Sequence, residues 1–128
     1  MSDKRKILVI DDDPDIVTFL TTLMEDNCYD HVSAGNGEEG IQRARAEKPD
    51  LILLDITMPE KTGVKFYREI RSDPDLSKIP VVMVTGVMQE FQKFISTRKQ
   101  VPPPDGYISK PVDQKLLLET VARLLGQN

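Results

Sequence analysis

Short runs of apolar residues alternate along the chain with stretches in which apolar positions recur every three or four residues. Residues 7–10, 51–54 and 81–84 form apolar runs with no polar break. Uninterrupted runs of this length are typical of strands that are buried on both faces of a parallel sheet. Residues 31–34 and 106–109 are weaker strand candidates. The pattern therefore predicts five strands.

The segments between these runs have helical periodicity. Asp13 followed by Pro14 is typical of an N-cap and a first helical residue, and Asn36 with Glu39 is typical of a capping box. A third helix should end before Pro74. The inward-facing positions are Ile16, Val17, Leu20, Leu23 and Met24 in the first helix, Ile41 and Ala44 in the second, Val64, Tyr67 and Ile70 in the third, Val87, Phe91, Phe94 and Ile95 in the fourth, and, after a start near Asp113, Leu117, Val121, Leu124 and Leu125 in the fifth.

Five successive β-α units predict the α/β class. Such alternation gives a parallel sheet with helices on both faces, joined by right-handed crossovers. With 128 residues, the chain is expected to be one domain over residues 1–128, with its core at about residues 6–125 and no output domain.

Composition and charge exclude several classes of protein. Hydrophobic residues at 39% and charged residues at 30% are ordinary for a globular domain. The formal net charge of −4 argues against nucleic acid or an anionic membrane as a partner. No apolar run approaches the ~18 residues of a membrane span, and no signal peptide is evident, so a cytoplasmic location is expected. The single cysteine, Cys28, is expected to pack as a small apolar residue.

Polar residues that can bind ions or take part in a reaction follow the ends of four predicted strands. Asp11 and Asp12 follow the first strand, Asp55 the third, Thr85 the fourth and Lys110 the last. In doubly wound sheets the working site lies outside the carboxyl ends of the strands. These side chains are therefore expected to converge at one edge of the sheet.

The chemistry of this set indicates phosphoryl transfer. Carboxylates brought together raise one another's pKa unless a cation lies between them. Oxygen ligands without cysteine or histidine favour a hard cation, above all Mg²⁺, which commonly binds a phosphate oxygen as well. The lysine and the threonine hydroxyl can hold the other phosphoryl oxygens. Asp55 is the candidate nucleophile.

Four stretches together resemble the receiver domain of two-component response regulators, of the kind found in chemotaxis. They lie at residues 7–14, 53–59, 84–86 and 107–111, and the resemblance covers nearly the whole chain. It implies a flavodoxin-like (βα)5 fold with strand order 2-1-3-4-5. It also implies a phosphorylation-dependent signalling switch, which changes its partner binding and is not a turnover enzyme.

The resemblance assigns roles to individual residues. Asp55 would accept the phosphoryl group from a histidine kinase or histidine phosphotransfer protein. Mg²⁺ would be held by Asp12 directly, by Asp11 largely through water, by Asp55 and by the backbone carbonyl of Thr57. Lys110 would pair with the phosphoryl oxygens, Thr85 would move toward them, and Tyr107 would follow as the switch aromatic.

A downstream protein partner would bind the face formed by the fourth helix, fifth strand and fifth helix. The stretch before the fifth strand, which contains three consecutive prolines at residues 102–104, is longer than in many receivers and borders this face.

Two alternatives remain open at this point. The chain could be a receiver module cut from a longer regulator that carries an output domain. It could also be a haloacid-dehalogenase-like phosphatase, because Asp11 and Asp13 have the spacing of that family's nucleophile and second aspartate.

Overall fold

The fold is an α/β sandwich, as the sequence pattern predicts. A computed structural model describes residues 4–55, 60–85, 105–109 and 111–126. Within them, the strands are β1 (Lys6–Ile10), β2 (Asp30–Ala34), β3 (Leu51–Asp55), β4 (Val81–Thr85) and β5 (Gly106–Ser109), and the helices are α1 (Pro14–Asp26), α2 (Gly37–Glu47), α3 (Glu60–Ser72) and α4 (Gln114–Leu124). The predicted fourth helix lies at residues outside the described ones, so α4 corresponds to the predicted fifth helix.

The five strands form one parallel sheet in the order β2-β1-β3-β4-β5, which confirms the predicted topology. The central strand β3 pairs with β1 on one side and with β4 on the other. Ile10 is the register partner of Leu54, and Asp55 is the register partner of Val84. The carboxyl end of β3 therefore lies between the ends of its two neighbours.

Alternate residues of the strands face two separate apolar clusters, one on each side of the sheet. The inner cluster lies between the sheet and helices α2 and α3, and its buried members are Leu8, Ile10, Ala34, Ala44, Ile52, Leu54, Phe66, Tyr67, Ile70, Leu76, Val81 and Met83. The second cluster lies between the sheet and helices α1 and α4. Burial on both faces explains why the central strands are uninterrupted apolar runs.

The starts of three helices are fixed by capping residues, of which the sequence predicts the first two as caps and the third only as a helix start. The side chain of Asp13 accepts a hydrogen bond from the amide of Asp15, and that of Asn36 accepts one from Glu39. Asp113 does the same at the start of α4. Among the described residues, no helix combines the length and apolar character needed to cross a membrane.

The end of α1 overturns the prediction that Cys28 packs as a small apolar residue. Cys28 is exposed and has a left-handed backbone with φ of 68°. The next amide, that of Tyr29, donates back to the carbonyl of Met24 at 3.0 Å, which closes the helix end. Helix ends of this type normally have glycine at the left-handed position, because a Cβ there is strained.

We therefore expect Cys28→Gly to raise the free energy of unfolding by about 0.5–1 kcal/mol, because it relieves the left-handed strain. Cys28→Ala is the matched control, since it removes the thiol but keeps the Cβ, and it should leave stability nearly unchanged. Urea denaturation measures both. Equal stabilisation by the two variants would attribute the effect to the thiol and not to the backbone.

Candidate functional site

Three carboxylates meet at the carboxyl edge of the sheet. Asp11 directly follows β1, Asp12 is the next residue, and Asp55 is the last residue of β3. One oxygen of each carboxylate lies within 4.8 Å of the other two. The predicted convergence of Asp11, Asp12 and Asp55 is therefore confirmed.

Two of these carboxylates are buried and one faces solvent. Asp11 is 1% exposed and Asp55 is 2% exposed, whereas Asp12 is exposed. The backbone amide of Asp13 donates to Oδ1 of Asp11 at 2.9 Å, and the amide of Asp11 donates to the carbonyl of Ala34 at 3.1 Å. These bonds orient Asp11. Sequence reasoning missed this support, although an aspartate two residues before a helix cap is a common signal for such a turn.

The electrostatics of the cluster favour a cation. Two unit negative charges within 4.8 Å of each other repel by at least ~3.5 kcal/mol at an effective dielectric constant of about 20. Mg²⁺ holds oxygen ligands at about 2.1 Å in an octahedron, so neighbouring ligands lie about 3 Å apart. Side-chain movements of at most about 2 Å would bring three oxygens that lie within 4.8 Å of one another to that distance. The donor set and its spacing therefore fit Mg²⁺, and Asp12 is the one of the three carboxylates that faces solvent.

Of the other predicted site residues, the structure describes Thr85 and Tyr107. Thr85 is the last residue of β4, next to the strand that carries Asp55. Tyr107 lies in β5, opposite Met83, and its half-buried ring packs against the inner cluster. Thr57 and Lys110 lie outside the described residues. Their predicted roles, and that of the Thr85 side chain, stay predictions.

Comparison with known proteins decides the family. A family model described as the response regulator receiver domain matches residues 7–122. The chain belongs to this family. The resemblance inferred from the motifs is thereby confirmed, and so is the function of the family as a phospho-aspartate signalling switch.

Individual relatives agree with this assignment. Protein PilH of Pseudomonas aeruginosa is 38% identical over 120 residues, which cover 94% of this chain and 97% of PilH. The alkaline phosphatase synthesis transcriptional regulatory protein PhoP of Bacillus subtilis is 34% identical over 94% of this chain but only 48% of PhoP. Among solved structures, the chemotaxis protein CheY4 of Vibrio cholerae superposes with a TM-score of 0.81 at 26% identity, covering 94% of this chain and 98% of CheY4.

Membership in the receiver family indicates which reaction and which ion the carboxylate cluster serves. Receiver domains of two-component systems take phosphoryl groups from histidine kinases and pass the signal to downstream partners. They generally act as switches and not as enzymes, and they generally bind Mg²⁺ at an acidic pocket. In this receiver, the acidic cluster at Asp11, Asp12 and Asp55 has the composition of such a pocket.

Mg²⁺ should stabilise this receiver because the ion offsets the repulsion among the three carboxylates. At a concentration about 100 times the Kd, the gain is about 2.7 kcal/mol, which corresponds to a Tm increase of about 10 °C for a chain of this length. Asp12→Asn should reduce that increase strongly and raise the Tm of the metal-free protein, because one repelling charge is gone. Scanning calorimetry with and without MgCl₂ measures both.

Asp15→Asn is the matched control. Asp15 is an exposed carboxylate in the first turn of α1 and does not belong to the cluster, so its loss should leave the Mg²⁺-dependent increase intact. NaCl at the same ionic strength should give no comparable increase. A full Mg²⁺ effect in Asp12→Asn, or an equal effect of NaCl, would contradict a metal site in the cluster.

Proposed function

We propose that this receiver accepts a phosphoryl group on Asp55 and thereby changes which protein its surface binds. The observation that carries the proposal is the cluster of Asp11, Asp12 and Asp55, whose carboxylate oxygens lie within 4.8 Å of one another. Asp11, Asp12, Asp55 and the carbonyl of Thr57 would hold Mg²⁺, which neutralises charge on the phosphoryl oxygens when bound.

The proposed reaction is a direct phosphoryl transfer. An oxygen of the ionised Asp55 carboxylate forms a bond to the phosphorus of a phosphohistidine while the phosphorus–nitrogen bond breaks. The leaving imidazole keeps the electron pair of that bond and takes a proton from solvent. Lys110 pairs with the phosphoryl oxygens and compensates charge at the acyl phosphate. A histidine kinase or a histidine phosphotransfer protein supplies the donor.

The proposed output is a change in surface that starts from Thr85 and Tyr107. Thr85 ends β4 beside the strand of Asp55, and Tyr107 lies on the neighbouring strand β5. Movement of Thr85 toward the phosphoryl group would let the ring of Tyr107 follow. The downstream protein partner would then bind at the face formed by the predicted fourth helix, β5 and α4.

A phosphatase of the haloacid-dehalogenase type is the weaker alternative. That chemistry needs a second acidic group, which sequence spacing assigns to Asp13. The carboxylate of Asp13 instead caps α1 by accepting the amide of Asp15 at 2.9 Å, and Asp12 is the neighbour that joins the cluster. This arrangement and the family membership both favour the switch.

We further propose that the receiver acts as a single domain in the cytoplasm, without a nucleic-acid or membrane partner of its own. The match over 97% of PilH supports the single-domain part of the proposal. The match over 48% of PhoP supports the alternative, in which the same domain is one module of a longer regulator. The location and the absence of those partners stay predictions from the sequence.

Acetyl phosphate with Mg²⁺ should add one phosphoryl group to the protein, and Asp55→Asn should abolish this addition because it removes the nucleophile. Asp12→Ala should reduce the labelling rate greatly through loss of the metal. Intact-mass spectrometry measures the added mass, and peptide mapping after borohydride trapping locates it.

Asp26→Asn serves as the control, because Asp26 is an exposed carboxylate at the opposite end of α1 and should not affect labelling. Equal labelling of Asp55→Asn and the unmodified protein would disprove the assignment of the acceptor. Continued turnover of a generic phosphate ester would instead support the phosphatase alternative.

A further inference from the structure

Two strands begin just after an aspartate that bonds the neighbouring strand in the same way. The amide of Asp50, before β3, donates to the carbonyl of Lys6 at 2.8 Å, and Oδ2 of Asp50 accepts the amide of Lys6 at 2.8 Å. The amide of Asp105, before β5, donates to the carbonyl of Val81 at 2.9 Å, and Oδ2 of Asp105 accepts the amide of Val81 at 2.9 Å. Lys6 and Val81 are the first residues of β1 and β4. Each aspartate therefore pairs two strands reciprocally where they enter the sheet.

The two strands differ in how much else fixes their register. Strand β3 is central, pairs with a strand on each side, and consists of five buried residues. Strand β5 lies at the edge of the sheet beside β4 and is four residues long. Its Ile108 is buried and its Tyr107 half-buried, whereas Gly106 offers no side chain. Because short strands that contain glycine specify their register weakly, the bonds of Asp105 matter more to β5 than those of Asp50 do to β3.

Arg71 of α3 determines where the carboxylate of Asp105 lies. The side chain of Arg71 is 10% exposed, and its Nη2 donates to Oδ2 of Asp105 at 2.7 Å, the same oxygen that accepts the amide from β4. Nη1 donates to the carbonyls of Ser77 and Ile79, and Nε donates to the hydroxyl of Tyr67 at 3.2 Å. Arg71 therefore connects the start of β5 to α3 and to the segment that leads into β4.

A slip of β5 by one residue would break these bonds. One residue of a parallel strand spans about 3.3 Å, so the carboxylate of Asp105 would leave the reach of both of its donors. Burial lowers the pKa of the Arg71 guanidinium, but its hydrogen bonds with Tyr67 and Asp105 raise that pKa, so Arg71 stays charged. A poorly exposed charge that loses its partner is strongly destabilising. The contact therefore selects one register of β5 against β4.

The register of β5 determines where the chain leaves the sheet. Ser109, the last residue of β5, is the register partner of Thr85, the last residue of β4. Asp55 is the partner of Val84, one residue earlier, so the three strands end at nearly the same level. Lys110 is the next residue in the sequence. A slip of one residue would displace it by about 3.3 Å and turn its side chain to the other face, whereas a charge-assisted hydrogen bond to a phosphoryl oxygen needs a distance of about 2.7–2.9 Å.

We propose that Asp105 and Arg71 are positioning residues for Lys110: by fixing the register of β5, they place this lysine level with a phosphoryl group on Asp55. The inference rests on the proposed function, which assigns Lys110 to the phosphoryl oxygens. It adds that this pairing depends on an ion pair at the amino end of β5, remote from the three carboxylates.

The test substitutes Asp105 and leaves Arg71 in place, since Arg71 also satisfies two backbone carbonyls. Asp105→Ala removes both bonds to Oδ2, whereas Asp105→Asn keeps an acceptor oxygen and should retain most of the effect. Asp50→Ala is the matched control, because it removes the same reciprocal bonds from the central strand β3. The arginine nearest to that carboxylate is Arg5, at 3.9 Å and 47% exposed, so no comparable buried ion pair is lost.

The first readout is amide hydrogen exchange in β5, measured by NMR without any phosphodonor. A hydrogen bond to a charged group supports about a tenfold change in a local opening equilibrium. We therefore expect the β5 amides of Asp105→Ala to exchange about tenfold faster, after correction for global stability measured by urea denaturation. Cross-strand nuclear Overhauser effects between Val84 and Ile108 should weaken in the same variant. Asp105→Asn and Asp50→Ala should change neither quantity appreciably.

The second readout is a double-mutant cycle with Lys110→Ala, which separates positioning from a general loss of stability. A misplacement of about 1 Å can cost a reaction about 100-fold, so we expect Asp105→Ala to slow the labelling of Asp55 by acetyl phosphate about tenfold. The same substitution should have no further effect in the Lys110→Ala protein, because the group that Asp105 positions is gone.

Unchanged exchange of the β5 amides in Asp105→Ala, or an equal acceleration in Asp50→Ala, would overturn the register role. Equal slowing of labelling by Asp105→Ala with and without Lys110 would overturn the positioning role. Absence of Asp55 labelling in the unmodified protein and in all variants, with the exchange difference intact, would refute the proposed function and leave the register contact standing.

Discussion

Mutual repulsion between carboxylates is the constraint on which this receiver is built. Asp11 and Asp55 are almost completely buried at the ends of adjacent strands, where solvent screens their charges poorly. A rigid backbone is needed to hold these two carboxylates close together, and the parallel sheet provides it. Strands β1 and β3 are paired in register and are covered by apolar side chains on both faces. The stability of the two apolar clusters offsets the electrostatic cost of the site, which a bound cation can then relieve.

Most of the framework follows from the sequence because its signals are local. Uninterrupted apolar runs at residues 51–54 and 81–84 are sufficient to indicate strands buried on both faces, and strand order follows from the receiver motifs. The capping residues Asp13, Asn36 and Asp113 are likewise local, since each side chain bonds an amide two or three residues later. The convergence of Asp11, Asp12 and Asp55 follows from topology alone, because parallel strands share one carboxyl edge.

Other features could not be predicted because they depend on distant partners or on backbone geometry. The residues around Cys28 do not indicate that its backbone adopts the left-handed conformation, because glycine usually occupies such a position. The pairing of Arg71 with Asp105 joins residues 34 apart, and an arginine at the end of a helix ordinarily suggests only a favourable charge at the C-terminus. The hydrogen bond between Asp11 and the amide of Asp13 was partly predictable. The two-residue spacing is plain in the sequence, but the sequence does not show that the Asp11 carboxylate accepts this bond.

The single oxygen of Asp105 that accepts both Arg71 and the amide of Val81 has a consequence for how this domain can diverge. It fixes the first turn into β5 from the α3 side, through contacts that do not involve residues 86–104. The start of β5 is therefore held to α3 and β4 by bonds of its own. A substitution in the neighbouring stretch leaves both of these bonds available, so the entry into β5 does not depend on a single connection along the chain.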